Sequence, residues 1–261
     1  MIWSYYILWF CFIFVSGIAV GSFLNVCIYR LPLEESIVTT GSHCMKCGTK
    51  IRRRDLIPVL SWILLRGKCR DCGEKIPARY MLVELLNGLI WVGVMLRIDF
   101  FEFPIHAILV CLLLSALVVV FFMDWDTQLI SVPVVIFILL LGIAERFLSE
   151  KSVTPALLEQ IIGFFAVSVI LLIIVIASRE RAMGIGDVYL MAAGGFFIGW
   201  KSSLAAFLIG LVSASVVGMI LKHRTGDSKF AFGPFLSLGL GTAALYGNEL
   251  VAWYLHFIGR G

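Results

Sequence analysis

The sequence predicts an all-α polytopic membrane protein of about eight transmembrane helices, with one small polar module between the first helix and the second. Three observations carry this. Of the 261 residues, 61% are hydrophobic and 15% are charged, whereas a soluble domain carries about 25% charge. Apolar runs of about 20 residues, long enough to cross a bilayer, recur along the chain. One long stretch, between the first two runs, is rich in charge. The basic residues form no nucleic-acid-binding motif and flank apolar runs. The lipid bilayer is therefore an expected partner, and nucleic acid is not.

Residues 2–29 are almost entirely apolar, and no Lys or Arg precedes Arg30. The run is too long, and lacks the basic start, for a secretory signal. It is read as the first transmembrane helix. Asn25 inside it is expected to bond to a neighbouring helix. Cys11, Cys27 and Cys111 lie in apolar runs and read as small buried hydrophobes.

Residues 30–80 form the polar module. They hold eleven Lys and Arg against five Asp and Glu, an excess that marks a cytoplasmic loop and puts the N-terminus outside. Within it, residues 56–65 are apolar but too short to span, and are expected to lie against the bilayer or the rest of the module. The loop carries Cys44-x-x-Cys47 and Cys69-x-x-Cys72, with 21 residues between the pairs and Gly48 and Gly73 just after them. Two such pairs suit a tetrahedral zinc site closed by four thiolates. A disulfide or redox pair and an iron–sulfur centre are the alternatives, the first disfavoured in a reducing compartment. The reading is a cytoplasmic zinc-binding loop over 30–80, followed by a seven-helix membrane domain over 81–261.

The remaining spans are expected over 81–96, 104–123, 132–147, 155–178, 188–200, 202–221 and 233–257. Glu84 and Asn87 share one face of the second span. Solvation at the interface is the plain reading of the pair, and a binding cavity is the other. Eight crossings place sixteen of the 21 Lys and Arg on the cytoplasmic side, which agrees with the positive-inside rule. The C-terminus then lies outside.

Two acids fall at the cytoplasmic ends of apolar runs. Asp187 closes Gly184-Ile185-Gly186-Asp187, and Asp124 ends the third span. A charge beside hydrocarbon is costly and usually serves a pathway or a reaction. The glycines let another backbone approach. Two carboxylates that meet can share one proton, one acting as base on water and the other as acid. Asp126 points roughly 200° away from Asp124 on a helix, so one of them at most faces such a pair. Asp126 is read as supporting or solvated. The four histidines accompany no Ser or Cys nucleophile.

The motifs, taken together, resemble the bacterial type IV prepilin peptidases, membrane aspartic proteases of the G-x-G-D class. The stretch from Gly21 to Pro32, Ile57-Pro58-Val59-Leu60-Ser61-Trp62, the four cysteines, Arg79 to Leu85 and Phe232-Gly233-Pro234-Phe235-Leu236 occur in family order. The resemblance implies an enzyme of the bacterial inner membrane acting at its cytoplasmic face. It would cut the basic leader from prepilins or pseudopilins, then N-methylate the new terminus with S-adenosylmethionine. Asp124 and Asp187 match the catalytic positions, supported by Gly184 and Gly186. No motif marks the methyl-donor site. It is placed loosely near the loop and the second span, with Glu84 and Asn87 as candidates.

This chain departs from the pattern twice. Ser131 and Val132 stand where the family has Pro and Asp, with Pro133 one residue later. Tyr189 stands where it usually has Lys, a residue that would tune the dyad or meet the substrate. Two other readings use the same features: a transporter or channel with a zinc-bound regulatory loop, and a catalytically impaired assembly factor that binds pilins.

Overall fold

The computed structural model describes residues 2–150, 153–181, 183–225, 231–257 and 259. Lys151, Lys229 and Arg260, three of the basic residues used to orient the chain, lie outside them. The described residues form ten α-helices, with two isolated bridges but no strand. Among the described residues, five segments are long and apolar enough to cross a membrane: Tyr6–Leu33, Arg79–Arg97, Pro104–Thr127, Leu157–Ser178 and Trp200–His223. This is a multi-pass membrane protein. The chain divides into two compact units, the first ending at Leu96 and the second starting at Arg97. The second span, expected to open the membrane domain, belongs to the first unit.

In the first unit, α1 (Ile2–Arg30) packs on α3 (Arg79–Arg97). Glycines allow this: a Cβ on Gly17 would sit 2.9 Å from Gly88 Cα, and one on Gly21 would sit 2.8 Å from Glu84 Cα. Backbones this close let short polar side chains bridge the helices. Asn25 Nδ2 donates to Tyr80 O at 2.9 Å, as its place in the run suggests, and Asn87 Nδ2 donates to Gly17 O at 2.7 Å. Asn87 is fully buried and Glu84 is 8% exposed. Interfacial solvation is therefore not their role.

Between these helices lie a 3₁₀ turn (Arg53–Leu56) and the short α2 (Leu60–Leu64). Trp62 settles which way the apolar stretch 56–65 leans on one side. Its ring lies against Gly67, and its Nε1 donates to Ile76 O at 3.1 Å, so it packs on the cysteine module.

The second unit holds α4 (Pro104–Thr127), α5 (Val132–Leu148), α6 (Leu157–Ala166), α7 (Ser168–Ser178), α8 (Ile185–Ile198), α9 (Trp200–Thr225) and α10 (Gly233–Phe257). α4 is apolar all round, and most of it is buried, as expected of a central helix. α8 is enclosed by α5, α6, α7, α9 and α10. At 14 residues it rises only about 21 Å. That is shorter than a hydrocarbon core of about 30 Å. α5 is also short, and carries Glu145-Arg146 in its last turn.

Three boundaries differ from expectation. α4 runs past residue 123 to Thr127, so Asp124 sits inside its last turn. α8 starts at Ile185 rather than 188, so Asp187 sits inside its first turn. The fifth apolar run breaks at Val167 into α6 and α7, and the Ser168 hydroxyl bonds back to Phe164 O. Residues 167–169 (Val-Ser-Val) combine stiff β-branched side chains with a serine that competes for a backbone carbonyl.

Gly163 of α6 and Gly195 of α8 meet backbone to backbone. A Cβ on Gly163 would run into the Gly195 carbonyl oxygen and lie 2.9 Å from Gly199 C. Gly163→Ala should lower unfolding stability by about 1–3 kcal/mol through overpacking, measured by denaturant titration of the purified protein in detergent.

Candidate active site and metal centre

Both motif aspartates are buried, Asp124 at 5% and Asp187 at 6% exposure. Each sits where a helix start offers unpaired N–H groups. Gly184 is the N-cap of α8 and has no side chain to cap with. Asp187, three residues on, reaches back to the Gly184 N–H, as an acidic residue does in a capping box. Asp124 does the same for a different helix. Its Oδ2 accepts the N–H of Gly233, the first residue of α10, at 2.9 Å. The positive end of a helix dipole therefore faces each carboxylate.

The two carboxylates lie within each other's electrostatic reach. α4 and α8 are brought together through α5 and α10, each of which packs along both; among the described residues they share no extended contact of their own. The small residues of α8 serve other partners: Gly194 lies against Leu240 of α10, and Gly195 against Gly163. Ala192 and Ala193 are buried.

Ile130, in the connection from α4 to α5, is the wedge of the site. A Cβ on Gly186 would lie 2.9 Å from Ile130 Cβ, and one on Gly233 would lie 3.0 Å from Ile130 Cδ1 and 2.7 Å from Asp124 Oδ2. Gly186 thus makes room for this chain's own isoleucine. Gly184 is different: a Cβ there would meet nothing closer than Gly186 N at 3.9 Å, which leaves room beside Asp187 for a substrate backbone.

Asp126 is exposed, on the far side of α4 from Asp124. Tyr189 is 45% exposed while Asp187 is buried, as two residues about 200° apart on α8 must be. Pro133 falls in the first turn of α5, where a missing N–H costs nothing. The shift of proline by one position is absorbed there. One polar pair went unread in the sequence: His106 at the start of α4 and Glu145 near the end of α5 meet at 2.8 Å.

The four cysteines of the first unit converge. Their sulfurs all lie within 4.8 Å of one another. Cys44 Sγ and Cys72 Sγ are 3.8 Å apart, close to the edge of a tetrahedron with metal–sulfur bonds of about 2.3 Å. Each pair sits on a tight knuckle. Cys44 N donates to Thr49 O and Gly48 N to Cys44 O, and Cys69 N donates to Glu74 O and Gly73 N to Cys69 O. Gly48 and Gly73 have φ of 69° and 72°, a backbone that glycine adopts without strain. The Thr49 hydroxyl and backbone draw the Cys47 thiol down to about 6. Hydrogen bonds from the backbones of Cys72 and Asp71 also lower Cys69. The module is braced by ion pairs. Arg70 makes two bonds to Asp55, at 2.8 and 2.6 Å, and holds that carboxyl below its usual range. Arg52 meets Asp71, and Lys46 meets Glu74. The donor set, spacing and reach fit a single closed metal ion.

A cavity of about 740 Å³ lies within the same unit, between the end of α1, the start of α3 and the cysteine module. Val59 in its wall has φ 62° and ψ −56°, a rare conformation for a β-branched residue. Leu60 N donates to Pro58 O across it at 2.6 Å, a strained γ-turn. Glu84 holds it there: its Oε2 accepts the Val59 N–H at 2.7 Å.

The family described as Bacterial Peptidase A24 N-terminal domain matches residues 15–98, and the Type IV leader peptidase family matches residues 111–219. A prepilin leader peptidase/N-methyltransferase of Myxococcus xanthus is 37% identical over 82% of this chain, which spans 64% of that relative's length. One of the same name from Aeromonas hydrophila is 31% identical over 95% of this chain and 94% of its own. A type 4 prepilin-like proteins leader peptide-processing enzyme of Escherichia coli is 34% identical, over 89% and 91%. No solved structure matches the chain.

Proposed function

This chain belongs to the type IV leader peptidase family, and we propose from that premise an enzyme of two steps. It removes the leader of type IV prepilins or pseudopilins, then N-methylates the new terminus. The observation that carries the first step is that two buried carboxylates, Asp124 and Asp187, lie within electrostatic reach of each other, each accepting a backbone N–H at the start of a helix. The family match disfavours the transporter reading. The impaired-enzyme reading loses its one support, because Tyr189 lies on the far face of α8 from an intact Asp187.

The chemistry follows from the pair. Two carboxylates in one low-dielectric site hold one proton between them. The ionised one takes a proton from water, which attacks the scissile carbonyl, and the protonated one donates to the carbonyl oxygen. The roles belong to the pair, which titrates as a unit. The Gly184 and Gly233 N–H groups keep both carboxylates in place while the charge moves. The open space beside Gly184 admits the substrate backbone.

Eight crossings put the pair and the cysteine module at the cytoplasmic face of the inner membrane, with sixteen of 21 basic residues inside. On this reading α5, α8 and α10 also cross, α8 sheltered from lipid by the helices around it. Labelling in intact cells tests the orientation. A cysteine placed at Lys50 should react with a membrane-impermeant thiol reagent only after lysis; reaction in intact cells would reverse the topology. The activity is tested by expression in a strain lacking its own leader peptidase. Processing of a prepilin should be restored.

The metal is a structural zinc ion held by Cys44, Cys47, Cys69 and Cys72, supported by their mutual distances and the two knuckles. Zinc closes the module with bonding worth on the order of 10 kcal/mol in small fingers. Cys69→Ser should lose the metal, by elemental analysis, and open residues 42–76 to proteolysis while the helices stay inserted. Methylation should suffer more than cleavage, since the aspartates belong to the second unit. Metal-free wild-type protein would return the sulfurs to the disulfide reading.

S-adenosylmethionine supplies the methyl group in the second step. Asn87 is spent on Gly17 and fully buried, which leaves Glu84 as the polar residue of that face open to a ligand.

A further inference from the structure

Glu84 is a buried carboxylate with no cation beside it among the described residues. Its partners among the described residues are the Val59 N–H and the Ser22 hydroxyl. Both are neutral, and together they use only part of its acceptor capacity. A carboxylate buried without a countercharge is costly to ionise, and this one faces the 740 Å³ cavity, where a cationic ligand would hold it ionised. That volume falls within the usual range for small-molecule sites. Beside it part of the wall is aromatic, and of the charged residues that also line the cavity Lys46, Arg52 and Arg70 are paired with Glu74, Asp71 and Asp55. Tyr29 and Tyr80 stack at 5.9 Å with 22° between their planes, and both line the cavity. The spacing explains the grouping. Tyr80 and Glu84 are one turn apart on α3, and Ser22, Asn25 and Tyr29 form one stripe on α1.

A carboxylate and an aromatic wall on one cavity suit a compact organic cation. Ring faces attract cations, and quaternary ammonium ligands are held in this way. The donor for the second step carries such a charge as a sulfonium. We propose that this cavity binds S-adenosylmethionine, with its sulfonium charge set against Glu84 and the Tyr29–Tyr80 wall. The inference rests on the methyltransferase reading and adds to it a site and a discriminating charge. In the transfer the amine nitrogen bonds to the methyl carbon. The carbon–sulfur bond breaks with its electron pair kept by sulfur, and the surplus amine proton leaves to water. The product, S-adenosylhomocysteine, is a neutral thioether. Glu84 therefore favours the charged donor over the spent one and helps the product leave. The strained Val59 turn, held by the same carboxylate, lines the cavity next to it.

Binding of S-adenosylmethionine and S-adenosylhomocysteine to full-length, metal-loaded protein in detergent, by isothermal titration calorimetry, tests this. Wild-type protein should prefer the charged ligand. Glu84→Gln keeps an acceptor for the Val59 N–H but loses the charge. It should weaken S-adenosylmethionine roughly ten- to a hundredfold, leave S-adenosylhomocysteine little changed, and so erase the preference. Tyr29→Leu, at a half-exposed position, should weaken the charged ligand roughly two- to fivefold. Unchanged metal content shows that each variant is folded. Wild-type protein that binds neither ligand would remove the methyltransferase reading itself. Wild-type protein that binds the donor, with the same preference kept in Glu84→Gln, would overturn the site alone. Displacement of the donor by a basic leader peptide, abolished in Glu84→Gln, would assign the cavity to the leader and overturn the proposal as well.

Discussion

Asp187→Asn protein should insert and fold, yet leave prepilin uncut, with cleavage down by roughly 10⁴-fold or more. The fold survives because an asparagine oxygen can still accept the Gly184 N–H. The reaction does not, because an amide can neither hold nor give the shared proton. Asp124→Asn should behave alike, its amide oxygen still accepting the Gly233 N–H that Asp124 Oδ2 takes now. The double variant should be no worse than either single one, since residues that act as a unit are not additive. Asp126→Asn is the internal control: that side chain is exposed on the other side of α4, and most activity should remain. Cleavage kept in Asp124→Asn and lost in Asp126→Asn would mean that the wrong acid had been paired with Asp187. The measurement is the rate of leader loss with purified protein.

Gly233→Ala should cost about a hundredfold in cleavage with little loss of folded protein. The added methyl would lie 2.7 Å from Asp124 Oδ2 and 3.0 Å from Ile130 Cδ1. Either the carboxylate or the isoleucine must move, and a displacement of about 1 Å at reacting groups costs about 10²-fold. The loss should appear in kcat, because the substrate site is not filled. Gly184→Ala makes the contrast. Its backbone is ordinary for any residue, at φ −81°, and its Cβ would meet nothing closer than 3.9 Å, so stability should hold. If a substrate backbone uses that space, KM should rise instead. Equal, unimpaired cleavage by both variants would remove Gly233 from the positioning of Asp124.

Asp124 and Asp187 were legible in the sequence because an acid at the end of an apolar run has few reasons to be there. Helical phase shows only that Asp124 and Asp126 point apart; the resemblance to the family pattern is what selects Asp124. The sulfur cluster was legible because paired C-x-x-C units fold locally, each on its own glycine knuckle. What joins distant segments was not. The Gly233 N–H reaches Asp124 across 109 residues. The available signal was a Phe-Gly-Pro opening the last apolar run, a helix start with free N–H groups and no capping side chain of its own. The spacing of Glu84 and Asn87 showed that they share a face, but not what that face meets. The answer lay in Gly17 and Gly21, which let α1 close over Asn87 and leave Glu84 at the cavity. The break at Val167 carries no proline or glycine. Its only mark is a serine between two valines, too common a pattern to read.

The most direct test of the central claim is intact-mass analysis of an unprocessed prepilin incubated with the purified protein in lipid nanodiscs. Wild-type protein should remove the leader in a single cut, with a gain of one methyl group at the new terminus when S-adenosylmethionine is added. Asp124→Asn and Asp187→Asn should make no cut. A prepilin that stays whole with folded, metal-loaded wild-type protein, or one that is cut as fast by Asp187→Asn, would contradict the proposed reaction.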